Sequence, residues 1–315
     1  MDSFPLDLDK IKLVLFNQGY EYVEPVGEGG YGSCFRVFSQ KYNQSFVCKT
    51  MHQQFSFEQE LNALLQLNHQ NVIKLYKYFH EFDTYFLILE DCTGGNIFDY
   101  ISKNYAKDSD ILKFTSELID ALLFLHMKGV AHLDIKPANV LLDKYGRIKL
   151  ADFGLAIKNH GNCCQFSGTR CFMAPEVVQK KPYDSFKADV WSLGMTLYFM
   201  AYRCLPFSNK SQWSHFVEYG VFKMPKFISA EFRDVLKHCL QPNPDKRATM
   251  QQLRDMFKFP RRPSQPNFVA PKPRMFMRAH VPQQLSFGKL NFGMIPTSTS
   301  QIKFPIADIP INDDD

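Results

Sequence analysis

The apolar positions of this chain fall into two regimes. From Tyr20 to Leu89 they come in short alternating and β-branched runs, which predict a small twisted sheet. One segment breaks the alternation: Leu61, Leu64, Leu65 and Leu67 form a stripe at helical spacing. Ser56-Phe57-Glu58-Gln59, just before it, has the Ser-x-x-Gln form of a capping box, so a lone helix is expected to begin near Ser56. After Gly94-Gly95 the periods lengthen, over 111–126 and 188–202, and a mainly helical second lobe is expected from there. The two lobes would meet at 90–93. Past Phe259 the periodicity is lost, and nine of the eighteen prolines lie between Pro260 and Pro310.

The result is an α+β architecture, with residues 1–19 as an N-terminal extension, lobes at 20–89 and 94–258, and a proline-rich tail at 259–315. A hydrophobic content of 45% over 315 residues suits a buried interior of this size. The net charge of +5 owes much to the tail, where 260–303 carries seven basic residues and no acid; no nucleic-acid domain is read into it. The tail also holds Phe268, Phe276, Phe287, Phe292 and Phe304, more aromatic than a solvating linker, and is expected to dock on the core or on a partner. Met1 to Phe16 has no cationic start before its apolar residues, and no run of about 18 apolar residues suggests a membrane span. Eight cysteines without a CxxC pair argue against a zinc site and for reduced thiols, hence for a cytoplasmic or nuclear protein.

The chemistry is concentrated in three places. Gly27-Glu28-Gly29-Gly30-Tyr31-Gly32 lies between strand-like runs, where glycines let backbone amides approach phosphates; alone it could be an ordinary hairpin turn. Lys49 follows seventeen residues after Gly32, at the end of Phe46-Val47-Cys48, and Glu60 on the predicted helix is the candidate carboxylate to orient it; out of context a surface lysine would be the simpler account. His132-Leu133-Asp134-Ile135-Lys136-Pro137-Ala138-Asn139 is followed thirteen residues after the Asn by Asp152-Phe153-Gly154, and then by Ala174-Pro175-Glu176. At this spacing Asp134 can accept or orient the proton of a hydroxyl nucleophile and Lys136 can steady a transferring phosphoryl group. Asn139 and Asp152 can hold Mg²⁺.

Taken together, the chain resembles the eukaryotic protein kinases over about Tyr20 to Phe257. The resemblance implies a two-lobed kinase fold that binds ATP and Mg²⁺. Leu89 looks like the residue guarding the back of the adenine pocket, and the backbone of Glu90 to Cys92 like the hinge that reads adenine. Cys34, Val47 and Leu141 would enclose the base, and Asn96 would meet the ribose. Leu64, Leu75, His132 and Phe153 resemble the regulatory spine, anchored by Asp189, and Glu176 with Arg247 resembles the ion pair of the large lobe. Lys136 with Gly168-Thr169 resembles the serine/threonine class, so the expected partners are protein substrates with Ser or Thr acceptors. Within the family the likeness is broadly to the calcium/calmodulin-dependent group, and the catalytic loop also resembles that of Wee/Myt kinases.

Three departures bear on control. Leu133 stands where the family usually has an Arg that grips an activating phosphate, and Leu cannot do this. A hydroxyl expected about three residues before Gly168 is Gln165, and 155–166 holds no Ser, Thr or Tyr. Lys49 and Glu60 are only eleven residues apart, which limits how far the helix can swing. A kinase active without activation-segment phosphate is expected; the alternative is a pseudokinase or docking scaffold. Asn96, Ala138 and Phe199 occupy the places where basophilic kinases keep carboxylates, so weak selection for upstream Arg is expected. Cys34, Cys163 and Cys164 are kept as candidates for thiol reactivity.

Overall fold

A computed structural model of the chain describes residues 7–29, 32–103, 106–158, 162–163, 168–220 and 229–257. Gly30, Tyr31, Cys164, Gln165, Ser167 and the tail lie outside them.

The chain opens with α1 (Leu8–Asn17), then β1 (Glu21–Gly29), β2 (Gly32–Ser39) and β3 (Gln44–Met51). α2 (Gln54–Gln66), β4 (Leu75–Glu81) and β5 (Thr84–Glu90) complete the first lobe. The strands form one antiparallel sheet in the order β1-β2-β3-β5-β4. Their alternation sorts side chains by face. Phe35, Val37, Phe46, Cys48, Phe86 and Ile88 turn one way, into a cluster with Tyr20. Met51, Leu87 and Leu89 turn the other way, toward α2 and the second lobe.

The first face is covered by α1, which the patterning of the first 19 residues did not predict. Asp7 caps it by accepting from the Lys10 N–H at 2.9 Å. Ile11, Val14 and Leu15, one turn apart, are its buried stripe. Each such aliphatic burial contributes about 1.5–3 kcal/mol. Ten residues with a three-residue stripe are too short to stand out as a period before the sheet is known.

The helix α2 begins two residues earlier than expected. Its N-cap position is Gln53, no side chain caps it, and Ser56 is buried with its hydroxyl toward Gln53 Oε1 at 3.3 Å. The capping box is therefore not used: Ser56 lies inside the first turn, and Gln59 is spent elsewhere.

The second lobe runs α3 (Ile97–Lys103), α4 (Asp108–Met127), β6 (Val130–Ala131), β7 (Val140–Leu142), β8 (Ile148–Leu150), β9 (Ile157–Lys158) and β10 (Asn162–Cys163). It continues through α5 (Pro175–Val178), β11 (Tyr183–Asp184), α6 (Ser185–Tyr202), α7 (Lys210–Tyr219), α8 (Ala230–Cys239) and α9 (Met250–Met256). The two long helical periods appear as α4 and α6. At the centre is α6, with fifteen of its eighteen residues buried and its N-terminus capped by the Asp184 carboxylate. Glu176 and Arg247 form the expected bidentate pair, at 2.7 and 3.1 Å, and the guanidinium lies over the Trp191 ring.

Candidate active site

The cleft between the lobes collects the predicted residues from many separate elements. Gly27, Glu28 and Gly29 end β1 and Gly32 begins β2, with Gly29 paired to Gly32 across the ladder, while Gly30 and Tyr31 lie outside the described residues. At Gly32 a Cβ would fall 1.6 Å from the Thr50 carbonyl oxygen, so no other residue fits. Cys34 lies across the ladder from Lys49, and Val47 across from Leu89. The hinge follows β5, and an isolated bridge sets Asn96 against Leu141 of β7. Asn96 has a second use besides its expected one. Its Oδ1 accepts from the Asp99 N–H at 2.8 Å and its Nδ2 donates to the Asp99 carboxylate at 3.1 Å. The side chain starts α3, and one amide hydrogen remains for a ribose.

Lys49 is the centre of the first cluster. Its Nζ lies 2.7 and 3.0 Å from the two Glu60 oxygens and 2.9 Å from Asp152 Oδ1. Burial works against its charge, but Asp152 and Glu60 outweigh burial and hold its pKa above the ordinary lysine value. Burial likewise opposes ionisation of Asp152, and Lys49 overcomes it, keeping that carboxyl below its usual range. For Glu60 burial pushes upward, against Lys49 and a backbone N–H bond from Phe153. With both oxygens on the ammonium, the geometry decides for a charged pair.

The second cluster surrounds Asp134. Its Oδ2 is 2.8 Å from Lys136 Nζ and accepts from Asn139 Nδ2 at 2.9 Å, while its Oδ1 accepts from the Thr169 hydroxyl and N–H, both at 3.0 Å. Lys136 also donates to Thr169 Oγ1 at 2.7 Å. Asp134 is thus held in one rotamer by groups from its own loop and from the segment after Gly168. That segment must come close: at Gly168, with φ +107°, a Cβ would lie 2.6 Å from the Leu133 carbonyl oxygen.

The loop that carries the second cluster hangs from α6. Asp189 accepts from the His132 and Leu133 N–H groups, each at 2.8 Å, and its Oδ2 is 3.0 Å from His126 Nε2. Leu133 is held there at φ +64°, a left-handed conformation that costs a branched residue about 1–2 kcal/mol. The His132 ring sits 4.9 Å from that of Phe153, and Leu64 is buried in the same core cluster. Leu75 is only half-buried against the same core.

Two contributors were not picked out from the sequence as parts of the site. Gln59 Nε2 donates to the Ala156 carbonyl at 2.9 Å, joining α2 to the chain just after Asp152-Phe153-Gly154. Lys149, in the middle of β8, reaches Glu90 at 2.8 Å. The only signal for Lys149 was a charged residue inside an otherwise apolar strand.

The donor set suits the expected cofactors. Among the described residues no cluster of three His, Cys, Asp or Glu could hold a metal by itself. Asp152 offers carboxylate oxygen at the cleft, and Asn139, whose Nδ2 is taken by Asp134, offers its amide oxygen. One or two hard oxygen ligands completed by phosphates is how Mg²⁺ is commonly bound. The thiols are less promising: burial pushes Cys34 and Cys171 up to about 11 and Cys92 up to about 12, away from the reactive thiolate. Phe199 is buried against Phe98, with ring centroids 5.4 Å apart.

A family model described as "Protein kinase domain" matches residues 20–257. The chain belongs to the protein kinase family. Among its relatives, CBL-interacting serine/threonine-protein kinase 12 of Arabidopsis thaliana is 30% identical over 249 residues, covering 74% of this chain and 51% of that protein. CBL-interacting serine/threonine-protein kinase 20 of the same plant is 31% identical over 261 residues, covering 78% and 59%. CBL-interacting protein kinase 5 of Oryza sativa subsp. japonica is 29% identical over 261 residues, covering 78% and 56%. This kinase therefore spans somewhat more than half the length of the curated relatives it matches. The names agree with the serine/threonine class indicated by Lys136 and Thr169, and the family generally uses ATP and Mg²⁺. Among the described residues no helix is long and apolar enough to cross a membrane.

Proposed function

We propose that this chain is an active, ATP- and Mg²⁺-dependent serine/threonine protein kinase that needs no phosphate on its activation segment. The observation that carries the reading is the pair of assembled clusters, with Lys49 between Glu60 and Asp152 and with Asp134 inside the Lys136, Asn139 and Thr169 bonds. A chain kept only as a scaffold has no need of both.

In this reading Lys49, oriented by Glu60, binds the α- and β-phosphates under the glycine loop. Asp134 receives the acceptor hydroxyl and takes its proton, and Lys136 steadies the γ-phosphate from the same side. Asn139 and Asp152 hold Mg²⁺, which when bound neutralises charge on the phosphates. Thr169 fixes the acceptor-side rotamer of Asp134 and so favours a small aliphatic hydroxyl.

Independence from phosphate is supported by what surrounds Leu133. The side chain is buried and lines a small cavity with Met173, Ala174, Val177, Tyr183, Ala188 and Ser192, none of them a cation that could grip a phosphate. The activation segment has other ties: β9 pairs with β6, β10 pairs with β11, and the Cys163 thiol donates to the Tyr183 hydroxyl at 3.4 Å. At its start, Gln59 binds Ala156.

The test is phosphate transfer to a generic protein substrate by the wild-type chain and by Asp134→Asn, with nucleotide binding measured alongside. Transfer lowered about 10²–10⁴-fold in the variant supports the kinase; two equally inert proteins that still bind nucleotide would favour the scaffold. Phosphatase-treated enzyme that turns over only after phosphate returns to Ser167 or Thr169 would refute the second half of the proposal. Binding to CBL belongs to the relatives by name. For this chain we assign docking on the core or on a partner to 259–315, and an intracellular setting to the protein.

A further inference from the structure

The hinge carries two consecutive carboxylates, and each is gripped by a cation from a different lobe. Lys149 of β8 is 7% exposed, and its Nζ lies 2.8 Å from Glu90 Oε1. Within the β7–β8 ribbon Lys149 is paired across from Leu141. Directly opposed residues share a face, so the lysine stem runs beside the side chain assigned to the adenine floor. From the first lobe, Arg36 of β2 places Nε 3.0 Å from Asp91 Oδ2, and the same guanidinium pairs with Glu24 of β1. Backbone bonds finish the frame: the Glu90 N–H donates to Lys74 at 2.9 Å, and the Gly95 N–H to Cys92 at 3.2 Å.

We infer that Lys149 and Arg36 are positioning residues for the nucleotide base, acting from opposite lobes on the hinge backbone between Glu90 and Cys92. The inference rests on the kinase reading, because it takes adenine as what that backbone meets. The physical reason lies in the buried Oε2 of Glu90. That oxygen has no hydrogen-bond partner among the described residues, so the Lys149 ammonium is the charge that compensates the carboxylate. Without that ammonium the Glu90 carboxylate loses its charge partner and turns toward water, and that change moves the backbone it is attached to. Directional bonds to a planar base lose strength on small displacements. The phosphate end, held by Lys49 and the metal ligands, is built from other elements and stays in place. The two cations should therefore govern affinity for the base while leaving the chemical step alone.

The experiment uses the full chain as wild type, Lys149→Met, Lys149→Arg and Arg36→Met. KM for ATP and kcat are measured together with equilibrium binding of ADP and, separately, of magnesium tripolyphosphate, which has no base. Lys149→Met should raise KM for ATP and weaken ADP about tenfold, with kcat and tripolyphosphate binding within about twofold of wild type, the pattern of lost uniform binding. Lys149→Arg should restore most of the loss. Arg36→Met, at a more exposed site that tolerates truncation, should reproduce the pattern more weakly, and it keeps the proposal testable if Lys149→Met does not fold. Unchanged ADP affinity in both Met variants would overturn the clamp, as would a parallel fall in tripolyphosphate binding. A wild-type chain that binds no ADP would instead bring down the kinase reading itself, a result distinct from variants that are indifferent.

Discussion

Helices α6 and α2 each hold half of the candidate site, and the protein secures them by different means. Around α6 the core closes on nearly every side, its first turn is capped by Asp184, and Asp189 in its second turn fixes the backbone of the catalytic loop. By contrast α2 buries five of its thirteen residues, has no side-chain cap, and leaves Phe55 and Leu65 in solvent. Its position depends on a few contacts that can be named. Phe57 stacks on Tyr85 with centroids 4.5 Å apart, Tyr85 stacks on His80 at 4.3 Å, Glu60 meets Lys49, and Gln59 meets Ala156. Low burial and few anchors are the marks of a segment with low local stability. Asp134 and Asn139 of the second lobe are thus built in, whereas the Lys49–Glu60 pair is assembled by contacts that the rest of the protein can reinforce or release.

Removing each kind of anchor tests this difference. The largest effect is expected for Asp189→Asn, which leaves two buried N–H groups with a weaker acceptor and the strained Leu133 without its main restraint. Thermal or denaturant unfolding should show a loss of about 3 kcal/mol, with turnover falling in parallel. A stability close to wild type would mean that α6 is not the fixed half. Gln59→Ala should separate stability from activity. We expect kcat to fall about threefold to tenfold while the unfolding midpoint barely moves, because one partly buried hydrogen bond is worth about 1 kcal/mol and here acts on placement. Equal losses in both measurements would show that α2 is held no differently from α6. The smallest effect is assigned to Ser56→Ala. Its hydroxyl meets only the Gln53 side chain, so the change should cost less than about 0.5 kcal/mol, whereas a working cap would cost about 1 kcal/mol.

Much of the site was legible because kinase chemistry fixes residue types at fixed spacings. Asp134, Lys136, Asn139, Asp152 and Thr169 do converge, and Lys49 does find Glu60, as their order along the chain led one to expect. The misread capping box has a plain cause. Ser56 and Gln59 have the spacing of a capping box, and nothing local reveals that Gln59 has a better partner ninety-seven residues away. Asn96, matched to a ribose by motif, also caps α3, a use that an Asn just before a helix with Asp three residues on allows. The helix α1 was invisible for the complementary reason: its short stripe acquires meaning only against the apolar face of a sheet that follows it.

By itself the sequence determined the family, the two-lobed division, the candidate groups that converge in the cleft and the oddity of Leu133. Each of these follows from residue type and from distance along the chain, because periodicity and short motifs are local properties. Only the tertiary structure decided which side chains hold the site in place. Asp189 beneath the catalytic loop, Gln59 at Ala156, Lys149 and Arg36 on the hinge, and α1 across the sheet all join segments far apart in sequence. Burial and charge compensation select such pairs, and both exist only after the chain has packed.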